Sequence, residues 1–429
     1  MSEISRLNGE RDARSRVRRP FARLAFTTSV LVSSLIGAAY AAPVESEAGF
    51  VEAALARPEW QALQGGREEG AQSELLRSQL LANPTLSFER DRTGAPSGDV
   101  TENTVRISQP LDISGRRSLY QSAAQRRVEA VRLESAADQR SRIAELRILF
   151  AEALHQQYYL GAVRHWQERI ESAARIAGHL ARAGEVSGYE QKRIEQEAKK
   201  ASATLALAEA RQRRQRESLA AAAAIPPEQV APLVGTLVPD APPPLDRVQD
   251  GVQTSPELAS MQARADAFGD EAAAASRAWI PGLSVDLAHK QVREPGRSDN
   301  GVIVGLSLTL PLFDRGQADQ AMSRAQARVL RAQHQLSLAE TQANVRGVWQ
   351  EAMSLHEAAS TYRKDALAST QQLSDTAEAA YRAGESSLLE LLDAYRAEMD
   401  ALTTELDLSL RARLARIELD RLYGATFNE

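Results

Sequence analysis

The chain has 429 residues, 25% of them charged, with a formal net charge of −5 at pH 7 and no cysteine. Without cysteine there is no disulfide framework, and the acidic balance argues against a nucleic-acid partner. Past residue 41, no stretch approaches the roughly 18 apolar residues that a membrane-spanning helix needs, which excludes a helical membrane protein.

The first 41 residues have the pattern of a secretory signal peptide. Arginines are frequent up to Arg23, an apolar run follows, and Ala39-Tyr40-Ala41 is a small-residue cleavage site. The apolar run is too short for a membrane anchor. We therefore expect residues 1–41 to be cleaved after export, with no cysteine after the cleavage site to carry a lipid.

Residues 42–252 are predicted to form the first of two repeats. In chain order we expect a helix over 47–81 with a possible break at Gly65-Gly66, a β-hairpin over 85–111 with a polar loop at 93–103, a long helical hairpin over 115–224, and a proline-rich segment over 225–252. The first long helix, nearly 70 residues without proline, would span about 100 Å.

Residues 253–429 repeat this plan. We expect a helix over 256–278, a β-hairpin over 283–312 and a long helical hairpin over 317–422. Two landmarks recur about 200 residues apart, Pro110 with Pro311 and Gly184 with Gly384, as expected for an internal duplication. The last helix also has apolar residues at alternating spacings of four and three, which predicts a coiled-coil seam of Leu388, Leu392, Tyr395, Met399, Leu402 and Leu406.

The final strand before the second long helix alternates strictly. Its even-numbered residues from Val302 to Leu312 are apolar, whereas the other face has Ile303, Gly305, Ser307 and Thr309 and is mostly small or weakly polar. About ten residues is also the length of a tilted strand that crosses a bilayer. Four strands cannot close a membrane barrel alone, so the chain is expected to oligomerise.

The helix lengths suggest how the wall of such an assembly is built. The summed length of the return helix of the first hairpin (187–224) and the helix over 256–278 roughly equals that of one long helix. We therefore expect these two helices to stack end to end as one rod of the wall, here called a composite stave. The last helix is expected to meet the first helix (47–81) at mid-height. The proline-rich segment would then surround the waist.

These features resemble the TolC family of outer-membrane efflux proteins over residues 48–424. The shared features are the duplicated hairpin-plus-long-helix layout and the two glycine turns. Three segments are most similar to the cation-efflux (CzcC-like) branch: Asn83-Pro84-Thr85-Leu86-Ser87, Gln109-Pro110-Leu111-Asp112 and Leu310-Pro311-Leu312-Phe313-Asp314-Arg315-Gly316-Gln317.

The resemblance implies a mainly α fold with a small β part. It implies a homotrimer whose twelve-stranded β-barrel in the outer membrane of a Gram-negative bacterium continues as a helical tunnel through the periplasm. It further implies two protein partners, a periplasmic adaptor and an inner-membrane RND-type pump. The expected function is an exit duct for divalent heavy-metal cations, with drug efflux and type I secretion as alternatives.

In that family the helical turns form the periplasmic tip, which contacts the adaptor. Gly184 and Glu185 mark the first turn of this chain, and Gly384 and Glu385 mark the second. We therefore expect these four residues at the adaptor contact.

Glu390 and Asp393 match the acidic positions that line the entrance in this family. Three residues apart on a helix, they share a face, and three copies would form rings of carboxylates that select for cations. The alternative is a solvated helix face with no role in conduction.

Tyr381 and Glu190 match a tyrosine and a carboxylate that form the gate latch between neighbouring hairpins in the family. The basic partner of that latch is absent, because Ser386 occupies its position. Arg193 or Arg382 could take its place.

No motif predicts catalysis or a cofactor. The six histidines lack metal-ligand spacing, and neither a phosphate loop nor a nucleophile motif occurs. The rival class is a periplasmic adaptor or coiled-coil scaffold, which would also be exported and rich in long helices. An adaptor has one helical hairpin inserted into β-rich modules, whereas this chain has two hairpins and only four strands.

Overall fold

The structure is a computed structural model that describes residues 45–96 and 98–424. The predicted signal peptide lies outside the described residues. The helices are α1 (Glu47–Leu55), α2 (Pro58–Gln79), α3 (Arg116–Ala183), α4 (Gly188–Ala223), α5 (Leu245–Gln253), α6 (Pro256–Ser276), α7 (Gln317–Thr361), α8 (Ala368–Arg382) and α9 (Leu388–Tyr423). The strands are β1 (Thr85–Ala95), β2 (Gly98–Leu111), β3 (Gly282–Glu294) and β4 (Arg297–Thr309). None of the described helices combines the length and apolarity that crossing a membrane requires.

The four strands form one antiparallel sheet in the order β1-β2-β3-β4. The prediction of a polar loop over 93–103 is wrong, because β1 and β2 continue through most of this range. The chain reverses tightly at Gly98, which has a φ of 113°. The Arg92 guanidinium lies 2.5 Å from the Asp99 carboxylate across this turn. The second hairpin is also longer than expected and turns at Gly296, which has a φ of 83°.

The two faces of the sheet differ in polarity. The register places Leu287 between Ile107 on one side and Val304 on the other. This face is apolar and exposed across all four strands through Leu86, Phe88, Val105, Ile107, Val285, Leu287, Val302, Val304, Leu306 and Leu308. The opposite face contains Ser108, Asp286 and Ser307, and the Ser307 hydroxyl donates to Asp286 at 2.5 Å.

Below the sheet, the helices form a layer four helices wide. Next to the sheet the lateral order is α2, α3, α6, α7, and in the other half it is α4, α3, α9, and then α7 continued by α8. The helix α3 and the α7–α8 rod run through both halves. The other two positions are composite staves.

The predicted partners in these composite staves are wrong. The end of α4 meets the start of α2, where Arg57 Nη1 donates to the Ala221 carbonyl at 3.2 Å. The end of α9 meets α5, because a Cβ added at Gly251 would lie 2.4 Å from the Tyr423 carbonyl oxygen. The return helix therefore continues into the first helix of its own repeat, and α9 continues into α6.

The proline-rich segment explains this pairing. It crosses the layer from α4 over α3 and α9 to α7, so the chain enters the second composite stave on the far side of α3. Gln157 of α3 holds both backbone groups of Leu233 at 2.8 Å, and Trp349 of α7 donates to the Pro243 carbonyl at 2.8 Å. The last part of this segment, expected to be irregular, forms α5.

Two further boundaries differ from expectation. The first helix breaks before Pro58, which begins α2, whereas Gly65 and Gly66 lie inside α2. The second long helix is interrupted by a π-helical segment, Tyr362–Leu367, between α7 and α8. The predicted seam on α9 is confirmed, with its residues buried or half-buried.

The long helices pack through buried residues spaced seven apart. This spacing keeps one narrow stripe of each helix against its neighbour along the whole contact. In α3 the stripe consists of Ala123, Ala130, Ala137, Ala144 and Ala151. In α9 it consists of Leu391, Glu398, Glu405, Ala412 and Leu419.

We expect the alanine stripe to be intolerant of larger side chains. Ala130 is 1% exposed, so Ala130→Leu would force the neighbouring helices apart at a cost of about 1–3 kcal/mol. The matched control is Gln125→Leu, because Gln125 is exposed on the same helix. Thermal unfolding followed by circular dichroism should show a lower midpoint for Ala130→Leu only. Equal midpoints for both variants would contradict this packing.

Candidate functional site at the helical turns

The two long helical hairpins reverse at turns with the same backbone geometry. Gly184 (φ 79°) and Gly384 (φ 73°) adopt the left-handed conformation that favours glycine. The amide of Glu185 donates to the Leu180 carbonyl at 2.9 Å, and that of Glu385 donates to the Ala380 carbonyl at 2.9 Å. Nothing else lies within 4 Å of a Cβ added at either glycine, so backbone conformation alone explains the choice of residue.

Each return helix starts with a capping box three residues after its glycine. The Glu190 carboxylate accepts from the Ser187 amide at 2.9 Å, and the Glu190 amide donates to the Ser187 hydroxyl at 3.2 Å. Ser387 and Glu390 repeat this arrangement at 2.8 and 3.3 Å. The two glutamates, to which sequence analysis gave different roles, are structurally equivalent. The Ser-x-x-Glu pattern at both sites is the sequence signal for this equivalence.

Glu390 and Asp393 lie on the exposed side of α9. Between them, Leu391 and Leu392 are buried against the rest of the protomer. The hydrogen bond from the Ser387 amide, followed by that from the Ser387 hydroxyl, lowers the pKa of Glu390. The Glu390 carboxylate is therefore ionised at neutral pH and held in place by the helix cap.

Tyr381 lies inside the protomer, 3% exposed, in an apolar cluster with Ile194, Leu388 and Leu391. Burial raises the pKa of Tyr381, and the nearby charge of Glu190 raises it further. Its hydroxyl has no hydrogen-bond partner within residues 45–96 and 98–424. The structure thus brings Tyr381 and Glu190 near each other within one protomer, without a hydrogen bond between them.

The other residues considered for the latch have separate positions. The Ser386 hydroxyl is buried without a partner in the described part of the chain. Arg382 forms an ion pair with Glu378 one turn earlier on α8.

A buried ionic network joins α3 to α8 and α9 beside this cluster. The Arg169 guanidinium lies 2.9 Å from Glu398, 2.8 Å from Glu378 and 3.2 Å from Asp375. It also stacks over the Tyr395 ring, 4.6 Å from the centroid. Glu398 is 5% exposed and accepts a further hydrogen bond from the buried Ser374 at 2.6 Å.

Sequence analysis did not predict this network. The sequence pattern that could have revealed it is the seven-residue spacing of Leu391, Glu398, Glu405, Ala412 and Leu419. This spacing places both glutamates on the face of α9 that packs against the protein interior. Glu405 is paired as well, with Arg363 at 2.8 Å and the Ser409 hydroxyl at 2.9 Å. Arg363 belongs to the π-helical segment.

The network shifts the pKa values of its members. Burial alone would raise the pKa of Glu378, but its hydrogen bonds to Tyr395 and Arg169 and the charge of Arg169 outweigh burial and lower it. Burial, reinforced by the hydrogen bond to Glu378, raises the pKa of Tyr395. The tyrosine therefore stays neutral and the glutamate ionised at neutral pH.

The described residues contain no group of three or more histidine, aspartate or glutamate side chains placed to hold a metal ion. Of the histidines, His155 is buried and lies 3.1 Å from the Asp407 carboxylate. His155 and Asp407 form a pair, and among the described residues no third histidine, aspartate or glutamate is placed to complete a metal site with them.

Residues 248–425 match the family model described as outer membrane efflux protein. They contain α6, the second β-hairpin, both helices of the second helical hairpin and the turn at Gly384. The second half of the chain is thus similar to outer membrane efflux proteins.

Two curated relatives extend the similarity over most of the chain. The cobalt-zinc-cadmium resistance protein CzcC of Cupriavidus metallidurans is 24% identical over 367 residues, 83% of this chain and 84% of that protein. The nickel-cobalt-cadmium resistance protein NccC of Alcaligenes xylosoxydans xylosoxydans is 26% identical over 319 residues, 72% of this chain and 70% of that protein. The resemblance expected from the sequence is confirmed.

A solved structure, that of the outer-membrane channel OprN, supports the same fold. It superposes with a TM-score of 0.71 at 16% identity, covering 89% of this chain and 91% of that chain. The protein is thus mainly helical with a small sheet and shares the fold of that channel.

We expect Arg169→Met to destabilise the protein strongly. The substitution leaves Glu398 buried without its cation, at a cost of about 3–5 kcal/mol. The matched control is Asp375→Asn, since Asp375 is 74% exposed and a surface pair contributes at most about 1 kcal/mol. Urea unfolding should separate the two variants, and Glu398→Leu added to Arg169→Met should recover part of the loss.

The network also predicts a pH dependence. Because the pKa of Glu378 is lowered in the fold, its contribution to stability is present above the ordinary glutamate pKa of about 4.3 and is lost as the pH falls through the lowered value. Glu378→Gln should reduce this loss. A Glu378→Gln protein with the same acid sensitivity as the parent would contradict the assignment.

Proposed function

We propose that this protein is the outer-membrane exit duct of a three-part efflux system, through which an inner-membrane RND-type pump and a periplasmic adaptor export divalent heavy-metal cations. The observation that carries the proposal is the sheet. Its apolar face is exposed across four strands and lies directly above a helical layer about 100 Å long.

Lipid is the natural cover for that apolar face. Val302, Val304 and Leu306 are more than 70% exposed, and an apolar surface of this size is costly in water. The opposite face contains Asp286 and Ser307, together with an ion pair between Lys290 and Glu102 at 2.5 Å. An apolar outside and a polar inside are the pattern of a strand wall around an aqueous channel.

Closure requires more than one copy. Within the described residues, β1 and β4 each pair on one side only, and an unpaired strand edge is excluded from lipid. Below them, α2 and α4 border one side of the layer, and α7 and α8 border the other. We propose that three copies join these edges into twelve strands and twelve staves, as the channel fold and the family resemblance favour.

The helical turns are the proposed contact with the adaptor. Gly184, Glu185, Gly384 and Glu385 lie at the end of the helices farthest from the sheet and are exposed. Equal turn geometry in both hairpins would present six similar tips per trimer. We propose that residues 42–252 and 253–429 are two repeats. Each repeat supplies one β-hairpin and one long helical hairpin.

The names of the relatives favour metal cations as the exported solute, since CzcC and NccC are described as cobalt-zinc-cadmium and nickel-cobalt-cadmium resistance proteins. The exposed pair Glu390 and Asp393 fits a cation path. In three copies it would place six carboxylates at one entrance. Tyr381 and Glu190, near each other in one protomer, remain the proposed gate latch. Drug efflux is the second candidate and predicts a different resistance profile.

A lysine on the proposed lipid face tests the location and the solute together. Leu306→Lys should cost about 2–4 kcal/mol if Leu306 faces the middle of a bilayer, so the protein should be lost from the outer-membrane fraction. Cells relying on this duct should then lose tolerance to cobalt, zinc and cadmium. Ser307→Lys, on the opposite face, is the matched control and should retain both properties. Loss of drug tolerance with unchanged metal tolerance would favour the second candidate.

The entrance is tested by Glu390→Gln with Asp393→Asn. Glutamine still serves the capping box, so folding should hardly change while the proposed carboxylate rings lose their charge. In planar bilayers, cation selectivity should fall and block by multivalent cations should weaken. Glu195→Gln, an exposed change on α4, is the control. If the double variant conducts like the parent, the two residues lie on a solvated face outside the pore.

A further inference from the structure

We propose that neighbouring copies meet in a fixed register along α2 and α7, where an apolar ridge on α7 enters a glycine notch on α2. The ridge consists of Met322, Val329 and Leu336, and the notch lies between Gly66 and Gly70. The inference rests on the proposed assembly of several copies and specifies how their helices fit.

The ridge is an unpartnered apolar face. Met322, Val329 and Leu336 are 60%, 54% and 62% exposed and lie seven residues apart. They project on the side of α7 opposite Ala327, which is buried against α6. Elsewhere in the molecule, apolar residues at this spacing form the contacts between helices, so the ridge has the pattern of a helix contact without its second helix.

The notch is on the opposite edge of the same layer. At about 100° per residue, Gly66 and Ser73 lie about 140° and 160° around α2 from Ala71, the buried residue of this helix, and Gly70 lies about 100° from it. Glycine inside a helix is destabilising relative to alanine. A Cβ added at Gly66 or Gly70 would meet nothing within 4 Å in the protomer. A close approach by another chain accounts for both glycines.

The heights of ridge and notch agree. Both helices end beneath the sheet, α2 at Gln79 and α7 at Gln317. With a rise of about 1.5 Å per residue, Val329 lies about 18 Å below that level, between Gly70 at about 14 Å and Gly66 at about 20 Å. Met322, at about 8 Å, lies level with Ser73 at about 9 Å.

Charges beside the ridge and the notch are complementary. Glu69 flanks the notch about 15 Å below the sheet, and Arg328 flanks the ridge at about 17 Å. Neither side chain has an ion-pair partner among the described residues of its own protomer. A pair between copies would bring the two together.

The interface continues the edges of the sheet, which identifies its occupant as a second copy. The unpaired edge of β1 lies on the same side of the protomer as α2, and that of β4 on the same side as α7. Pairing β4 of one copy with β1 of the next would bring α7 beside the neighbouring α2. One contact surface then runs from the sheet into the helical wall.

Disulfide trapping tests the register, and the chain has no native cysteine to interfere. Ser73→Cys with Met322→Cys should give covalent oligomers on oxidation, seen on non-reducing gels. The control is Ser73→Cys with Gln320→Cys, because Gln320 points towards α6 and should give monomers. An assembled trimer without crosslinks from the first pair would overturn the register while leaving the duct proposal intact. A protein that remains monomeric would overturn both.

Bulk and charge supply an independent test. Gly70→Leu should raise the apparent dissociation constant of the trimer at least about tenfold, because it fills the notch. Gly65 lies about 140° around the helix from Gly70, so Gly65→Leu removes the same type of helical glycine on another side of α2 and should leave assembly unchanged. Glu69→Arg and Arg328→Glu should each weaken assembly, and the two together should restore it. Tolerance of Gly70→Leu, or failure of the charge exchange to restore assembly, would overturn the inference.

Discussion

The structure depends on a helical layer that is only one helix thick. A helix in such a layer has two neighbours and two solvated surfaces, so only narrow lateral stripes are available for burial. The seven-residue spacing from Ala123 to Ala151 supplies one such stripe, and small residues let the backbones approach closely. Ion pairs flank the stripe, such as Arg126 with Asp270 at 2.8 Å. Little apolar surface is buried per residue, so length and repetition supply the stability.

Two buried glutamates on the α9 stripe, Glu398 and Glu405, restrict how α9 can pack along its neighbours. A heptad stripe of alanine and leucine alone would allow α9 to slide by one heptad along its neighbours at small cost. Glu398 and Glu405 each require a cation at one height, from Arg169 and Arg363 respectively. A buried polar group that is satisfied in one register only is the best-attested way to fix that register. The ionic networks therefore favour one register of α9 against its neighbours over registers shifted by one heptad.

The sequence predicts the elements well because their signals are local. Alternation in Val302 to Leu312, the absence of proline after Gly115 and the glycine at position 384 each act within a few residues. The composite staves were predicted wrongly because helix length does not say which ends meet. That choice depends on Arg57 reaching the end of α4 and on Gln157 holding Leu233, contacts between residues far apart in the chain. The Ser-x-x-Glu pattern predicts that Glu190 and Glu390 cap their helices. The resemblance alone implies other roles for them, in a latch and in the pore.

The proposed duplication accounts for the open edges of the layer. Two copies of one plan, laid side by side, satisfy the inner edges of each other, β2 with β3 and α3 with α6 and α9. The outer edges repeat the same unsatisfied groups, because every repeat unit that adds an inner contact also carries an outer edge. Gly66 and Gly70, which weaken the helix that carries them, lie at the height of the apolar ridge on α7 and fit the proposed completion of that edge by another copy.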